Sequence, residues 1–338
     1  MSSLSAGTGR SLPVTGAYRM DEGVCVRELS MRLCLVLRSY GGENDKERPS
    51  YFSKDVVVAS FVRAAAFARD AGVDVEVVFA NDGPIPQPRL AVMERHGRVM
   101  FTDGGPVGLL GSYRFALDLP DRLALSDGDV IAFIEDDYLL TQDAFVVLAR
   151  AAEELPKVSS FALTGKRPPV ATDAAARARY AMPRGWKAQP DEQVGEDLWV
   201  NVMSTTSTFA ARVGVLRADR DIHELAMRPF RNRFLDHELC LISQGVVPYH
   251  GREFVFGLGK DFVPGIRGVV RAAVLLPFRF LMNARARKQQ TPHYLFAVVP
   301  DRAAHLEVGE VPGSQDWAAE AQAVKDWGIE HEALPVSR

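Results

Sequence analysis

An α/β fold built on a mostly parallel central sheet flanked by helices is predicted by three features of this 338-residue sequence. Short, continuous apolar runs recur through its first half, at 33–40, 73–80, 98–102 and 130–134. Such runs read as strands buried on both faces. Helix-periodic stretches alternate with them, which is how a parallel sheet is covered on both sides. Each run ends in polar or glycine-rich residues, and open α/β sheets bind ligands beyond the carboxyl ends of their strands.

The elements follow in order. Residues 1–30, which contain no apolar stretch of the secretory kind, read as a disordered leader. LCLVLRSY (33–40) is the first strand and ends in Arg38, Ser39 and Tyr40. Residues 54–71 carry helical spacing that Gly72 terminates. The second strand, 73–80, closes on Asn81-Asp82-Gly83-Pro84, a turn signal. After the third strand (98–102) comes GGPVGLLGS, a glycine loop at which backbone N–H groups can approach phosphate. Gly108, Gly111, Ser112 and Arg114 are its candidate contacts. A helix is expected over 113–125, the fourth strand over 130–134 and another helix over 142–154. Residues 166–197 read as a loop-bearing excursion, 198–212 as strand-like, 233–244 as a helix and 294–299 as a last strand. The domain plan is a leader (1–30), a catalytic α/β domain (31–260) and a C-terminal flap, helix and tail that complete the site (261–338).

Composition excludes several classes. Hydrophobic residues at 47% and charged residues at 25% suit a globular chain with a large core. A net charge of -3 gives no global signal for nucleic acid. Cys25, Cys34 and Cys240 are odd in number and lack CxxC spacing, which points away from a disulfide framework and toward a reducing, cytoplasmic compartment. The run 269–282, VVRAAVLLPFRFLM, is too short and too interrupted by Arg271, Pro277 and Arg279 to span a bilayer. A mobile flap or buried helix is the preferred reading. A surface-lying amphipathic helix is the other, with peripheral membrane contact through 269–288 at the inner face of the membrane.

Glu135-Asp136-Asp137 follows the strand VIAFI directly. Carboxylates crowded at a strand end repel one another unless a cation offsets them. A hard divalent ion, Mn2+ or Mg2+, takes oxygen ligands and keeps positions open for phosphate. In an extended segment Glu135 and Asp137 would point the same way and share one metal. A solvated acidic turn that caps the next helix is the bland alternative.

GDVIAFIEDDYLL resembles the central signature of the glycosyltransferase A fold, and in particular the inverting family two. The resemblance implies a metal-dependent transfer of sugar from a nucleoside-diphosphate-sugar donor to a glycan, lipid-linked or small-molecule acceptor hydroxyl. Glu135 takes the first acidic place and Asp137 the last, with Asp136 at the diphosphate. Glutamate in the first place departs from the commoner aspartate. LCLVLRSY resembles the strand whose end touches the nucleotide, which brings in Arg38 and Tyr40. VDVEVVFANDG resembles the strand whose last aspartate, here Asp82, faces the base. Inverting transfer also needs a base for the acceptor hydroxyl. FLDHELCLISQG resembles the family's later acidic motif and makes Asp236 that base, with Glu238 as second choice. A third, late histidine ligand is common in this fold. His305 is preferred to His250. Two rivals remain: a sugar-phosphate nucleotidyltransferase, and a non-catalytic binding protein that kept the fold.

Overall fold

The computed structural model describes residues 31–165, 183–230, 233–257 and 265–335. The leader, and residues 166–182 of the expected excursion, lie outside the described residues. The chain begins with β1 (Leu33–Tyr40), α1 (Lys54–Asp70), β2 (Val75–Asp82), α2 (Gln87–His96), β3 (Arg98–Phe101), α3 (Gly108–Arg122) and β4 (Val130–Glu135). β1 pairs in parallel with both β2 and β4, and β2 with β3. Side chains of a strand alternate between the sheet's faces. Leu33, Leu35 and Leu37 of β1 enter one core with α1, while Cys34 and Val36 enter a second with α3. Both faces are therefore dry, which is why these strands have no polar alternation.

β5 (Tyr138–Leu140), α4 (Ala144–Glu154), β6 (Ser160–Ala162), β7 (Glu192–Val194), β8 (Asp197–Asn201) and β9 (Phe209–Arg212) follow. The main sheet has the order β3-β2-β1-β4-β9-β6-β10-β8-β7, in which β10 is Leu295–Val299. β9 runs antiparallel to both β4 and β6, β10 runs parallel to β6, and β8 runs antiparallel to β10. The expected mostly parallel sheet flanked by helices is the architecture observed. Residues 198–212, read as one strand-like stretch, are two strands that lie apart in the sheet. The intervening 202–208 must leave it to cross between them, and it carries Ser204 to Thr208 out as a loop.

The rest of the chain adds α5 (Val213–Ala218), α6 (Arg220–Met227), α7 (Asp236–Ser243), α8 (Gly251–Phe256), α9 (Ile266–Lys288), β11 (Ala303–His305) and α10 (Trp317–Glu330). α10 covers α1, with Trp317, Ala321 and Val324 joining the first core. A third core lies between β8 and β10 and helices α6, α7 and α9. β11 pairs antiparallel with β5, with His305 opposite Tyr138. The stretch 269–282 is helical but not a buried helix, since only one side of it is covered. It lies within α9, which buries Ala272, Leu275, Arg279, Met282, Asn283 and Ala286 and leaves its other side at the surface.

Candidate active site

A cleft of about 640 Å3 opens at the carboxyl ends of β1, β2 and β4. That is the volume of a site for a small molecule or cofactor. Arg38, Tyr40, Asp82, Gly108, Ser112, Glu135, Asp136, Asp137, Asp236 and His305 all line it. So do Thr206 and Ser207, from the hydroxyl-rich run STTSTFAAR (204–212), and Asn44, Lys46, Tyr138 and Arg233, which the sequence does not single out.

The three acidic side chains take different partners: Arg38 for Glu135, Lys54 for Asp136 and Arg48 for Asp137. The chain turns at Asp136-Asp137 between β4 and β5, so the alternation of an extended strand does not govern them. Glu135 ends β4, where its N–H donates to Thr208 Oγ1 at 3.1 Å. Its carboxylate stands 3.6 Å from Arg38 Nη1. Burial raises the Glu135 pKa. Arg38 opposes that, and Asp137 and Asp136 add to it.

Asp136 turns inward. Its Oδ2 accepts from Ser39 Oγ at 2.9 Å, the Tyr40 N–H at 3.1 Å and Lys54 Nζ at 2.7 Å. Lys54 is 2% exposed. It also donates to the Tyr40 carbonyl and lies 3.5 Å from the Tyr40 ring centroid. A lysine that opens a helix opposes the helix dipole. Lys54 is α1's first residue, and the carboxylate of Asp136 is what offsets it. That misplaced charge was the one sequence-level sign of this pair.

Asp137 turns toward β11. Its Oδ2 is 2.9 Å from Arg48 Nη2 and 3.2 Å from His305 Nε2. Burial alone would raise its carboxyl. The hydrogen bonds and charges of His305 and Arg48 outweigh burial and hold the pKa below the ordinary aspartate value. Arg48 also donates to the Leu306 carbonyl at 2.7 Å and lies over the Phe52 ring. His305 stacks on Tyr138 with centroids 4.9 Å apart and stands 3.6 Å from Glu307. All of this follows from the β5–β11 pairing, which joins residues some 165 positions apart. His250, the alternative ligand, does not line the cleft.

At the β1–β2 end of the cleft, Arg38 is 7% exposed, lies over the Tyr113 ring and reaches Ser112 Oγ at 3.4 Å. Its Nε and Nη1 are buried without a hydrogen-bond partner. Asp82 is already engaged. It accepts from Thr102 Oγ1 at 2.8 Å, from the Val107 N–H at 2.7 Å and from the Gly108 N–H at 2.9 Å.

This corrects the phosphate-cradle reading of the glycine loop. α3 starts at Gly108, five residues earlier than expected, and the Asp82 carboxylate already occupies its first amides. Gly108 has φ 73° and starts the helix through a conformation glycine favours. Gly111 serves packing, since a Cβ there would stand 2.6 Å from Val107. Arg114 points away, 3.2 Å from Glu224 of α6, and neither it nor Gly111 lines the cleft.

Across the cleft, Asp236 is α7's first residue, and its Oδ1 accepts from the His237 N–H at 2.9 Å. Glu238, the second choice of base, is corrected. It is 1% exposed and accepts from the Tyr249 hydroxyl at 2.8 Å, facing the third core instead of the cleft. Helical geometry turns it about 200° from Asp236. Thr206 and Ser207 bring hydroxyls to the rim, and Thr206 Oγ1 is 2.8 Å from the Tyr138 hydroxyl. A smaller cavity of about 40 Å3 lies behind Asp236, against Tyr113, Phe209, His223 and Cys240. Burial pushes His223 down to about 4 and the Cys240 thiol up to about 12. Both are neutral packing groups.

Among the described residues no group of three or more His, Cys, Asp or Glu side chains converges as a metal site. Asp137 and His305 form a pair. Their carboxylate oxygen and imidazole nitrogen suit Mn2+ or Mg2+ only if phosphate oxygens and waters supply the remaining ligands.

No protein-family model matches the chain, and no curated protein is matched by it. Solved structures do resemble it. One is S. aureus TarS 1-349, at 14% identity and TM-score 0.38, covering 62% of this chain and 54% of that one. Another is glucosyl-3-phosphoglycerate synthase from Mycobacterium tuberculosis in complex with Mn2+, UDP and glucosyl-3-phosphoglycerate, at 15% identity and TM-score 0.38, covering 77% and 81%. A third is a nucleotidyl transferase from Methanothermobacter thermautotroptrophicus, at 17% identity and TM-score 0.34, covering 64% and 84%. The chain thus spans about half the length of the TarS structure. Likenesses this distant concern the course of the backbone and not the chemistry of the cleft.

Proposed function

We propose that this protein is a metal-dependent, inverting glycosyltransferase of the hexosyltransferase type. It would move a sugar from a nucleoside-diphosphate donor to an acceptor hydroxyl. The observation that carries the reading is the meeting of Asp137 and His305 beside Arg38 and Glu135, across one cleft from Asp236. A cation-ready pair, a buried arginine with unsatisfied N–H groups and a separate carboxylate are what phosphate-leaving chemistry requires.

In this reading Asp137 and His305 would hold Mn2+ or Mg2+, which would supply positive charge to offset that of a diphosphate leaving group. Arg48, which pairs with Asp137 at 2.9 Å, is the residue a cation there would compete with. Arg38 directs its unsatisfied Nε and Nη1 to donor oxygens. Asp82, held by Thr102 and the start of α3, shapes the nucleoside end. Asp236 takes the proton from the acceptor hydroxyl as that oxygen bonds to the anomeric carbon and the bond to diphosphate breaks. Thr206 and Ser207 orient the sugar or acceptor.

The test is thermal stabilisation by nucleoside diphosphates and their sugars, with and without Mn2+, followed by an assay of donor consumption. Metal-dependent stabilisation by one nucleotide series is expected. Stabilisation that ignores the metal, with no donor consumed, would overturn the assignment. Formation of a nucleotide sugar from a sugar phosphate and a nucleoside triphosphate, with release of pyrophosphate, would favour the nucleotidyltransferase.

A further inference from the structure

α9 presents its more apolar side outward. Its inner face, with Ala272, Leu275, Met282 and Ala286, also buries two polar side chains. Arg279 donates to the Phe254 and Val255 carbonyls, and Asn283 exchanges hydrogen bonds with the Tyr249 backbone. The outer face over 266–281 carries Ile266, Val269, Val270, Ala273, Val274, Leu276, Pro277, Phe280 and Leu281 and no polar residue. Ile266 is 82% exposed and Phe280 59%. At 100° per residue these positions fill an arc of about 160° centred opposite the buried face. Val255 and Phe256 of the adjoining α8 add to the exposed apolar surface.

The charged residues of α9 itself have one sign, although Glu253 of α8 and Asp221 of α6 lie nearby. α9 holds six of the chain's 40 Lys and Arg and none of its 43 Asp and Glu. Arg267, Arg271 and Arg285 fall along one flank, with Arg285 reaching Asp221 of α6. Arg287 and Lys288 are exposed at the carboxyl end. In a protein of net charge -3, Arg267, Arg271, Arg287 and Lys288 thus flank or end an apolar strip that is extensive among the described residues. The strip is about 24 Å long, too short to cross a bilayer. Among the described residues no helix is long and apolar enough to do so.

We propose that α9 is a docking face for an anionic lipid surface. It lies in the plane of the membrane, with Ile266 to Leu281 among the acyl chains and the flanking basic residues at the headgroups. Charge decides this occupant over a second copy of the chain. A two-fold pairing through α9 would set basic flanks against each other with no acid on either helix to offset them. Docking brings the cleft to the lipid, because α9 supports α7. Asn283 holds Tyr249, and Tyr249 holds Glu238, two residues from Asp236. The inference deepens the proposed function by favouring a lipid-linked acceptor, but the docking itself does not depend on catalysis.

The experiment is co-sedimentation of the full chain with vesicles of phosphatidylcholine alone and with added phosphatidylglycerol, together with its mass in solution. Binding is expected to the anionic vesicles, weakened by salt and at least about tenfold weaker to neutral ones. The variant V270E/F280E is expected to lose at least about tenfold in vesicle binding while keeping its melting temperature and metal-dependent nucleotide binding. R287E/K288E should lose binding to anionic vesicles more than to neutral ones. Failure to bind anionic vesicles would overturn docking. So would a wild-type dimer that V270E/F280E converts to monomer, which would assign the face to a second copy. Retained docking with no donor consumption would instead sink only the transferase reading.

Discussion

The wall of the cleft made by β1 and α1 and the wall made by β5 and β11 each centre on a carboxylate, from adjacent residues. Asp136 is closed in by groups of one compact unit: the β1 hydroxyl of Ser39, the β1 amide of Tyr40 and the ammonium of Lys54, whose side chain is 3% exposed. Asp137 is met by groups from distant segments, and its network continues outward. It runs through His305 to Glu307, which pairs with the half-exposed Lys46. A buried ion whose partners cannot move is a structural brace, since losing either partner strands a charge. A carboxylate held by an arginine and a histidine that reach solvent can exchange those partners for a ligand. The comparison makes Asp136 a structural brace and Asp137 the carboxylate that the proposed function uses.

Breaking the open wall carries the largest expected effect. Asp137→Ala and Asp236→Ala are each expected to lower donor turnover by about a thousandfold or more, in line with losing a cation ligand or a general base. Titration of the nucleotide with Mn2+ should show weakened binding for Asp137→Ala only. Equal losses in both would contradict the division of roles.

Breaking the closed wall comes next. Lys54→Met leaves Asp136 buried and unpaired and should cost about 3 kcal/mol in denaturant unfolding. Asp136→Ala should destabilise more than Asp137→Ala. The reverse order would undo the contrast.

The pH dependence sharpens the same contrast with a smaller effect. The lowered Asp137 pKa contributes stability that is present above the ordinary aspartate value and lost as pH falls through the depressed one. Glu135 has the opposite sign. Its raised pKa disfavours the folded carboxylate at neutral pH, and acidification relieves that cost. Glu135→Gln is therefore expected to unfold at slightly higher denaturant than the wild type at about pH 7, with the gain shrinking toward about pH 4 as Glu135 protonates. A gain that grows on acidification would reverse the assignment.

The smallest effect belongs to Arg114→Ala. Its partly exposed pair with Glu224 should be worth less than about 0.5 kcal/mol, and nucleotide affinity should not change.

Local pattern made the first half of the fold legible. β1, β2, β3, β4, α1 and α4 lie within a few residues of their expected spans, because continuous apolar runs and helical spacing are imposed by cores on both sides of the sheet. β5 and β11 were not legible. Strands of three residues have too little length for a period, and each exists because the other is there. α3 was placed late because the glycines that open it read as loop, whereas Asp82, 26 residues upstream, caps it. Arg48 gave no signal at all, since only the docking of β11 shows what it touches.

The amino-acid sequence by itself determined that an acidic triplet would close a buried strand at the rim of a parallel sheet, and that a further carboxylate would open a late helix. Those facts depend on interactions between near neighbours: hydrophobic period, turn residues and helix starts. Only the tertiary structure decided which of three consecutive carboxylates is braced and which is available, that Glu238 faces a core, and that the apolar side of α9 is the outer one. The direction of a side chain in a turn or on a helix is set by what packs against it, and those groups come from other segments, 11 residues away for Glu238 and 168 for Asp137.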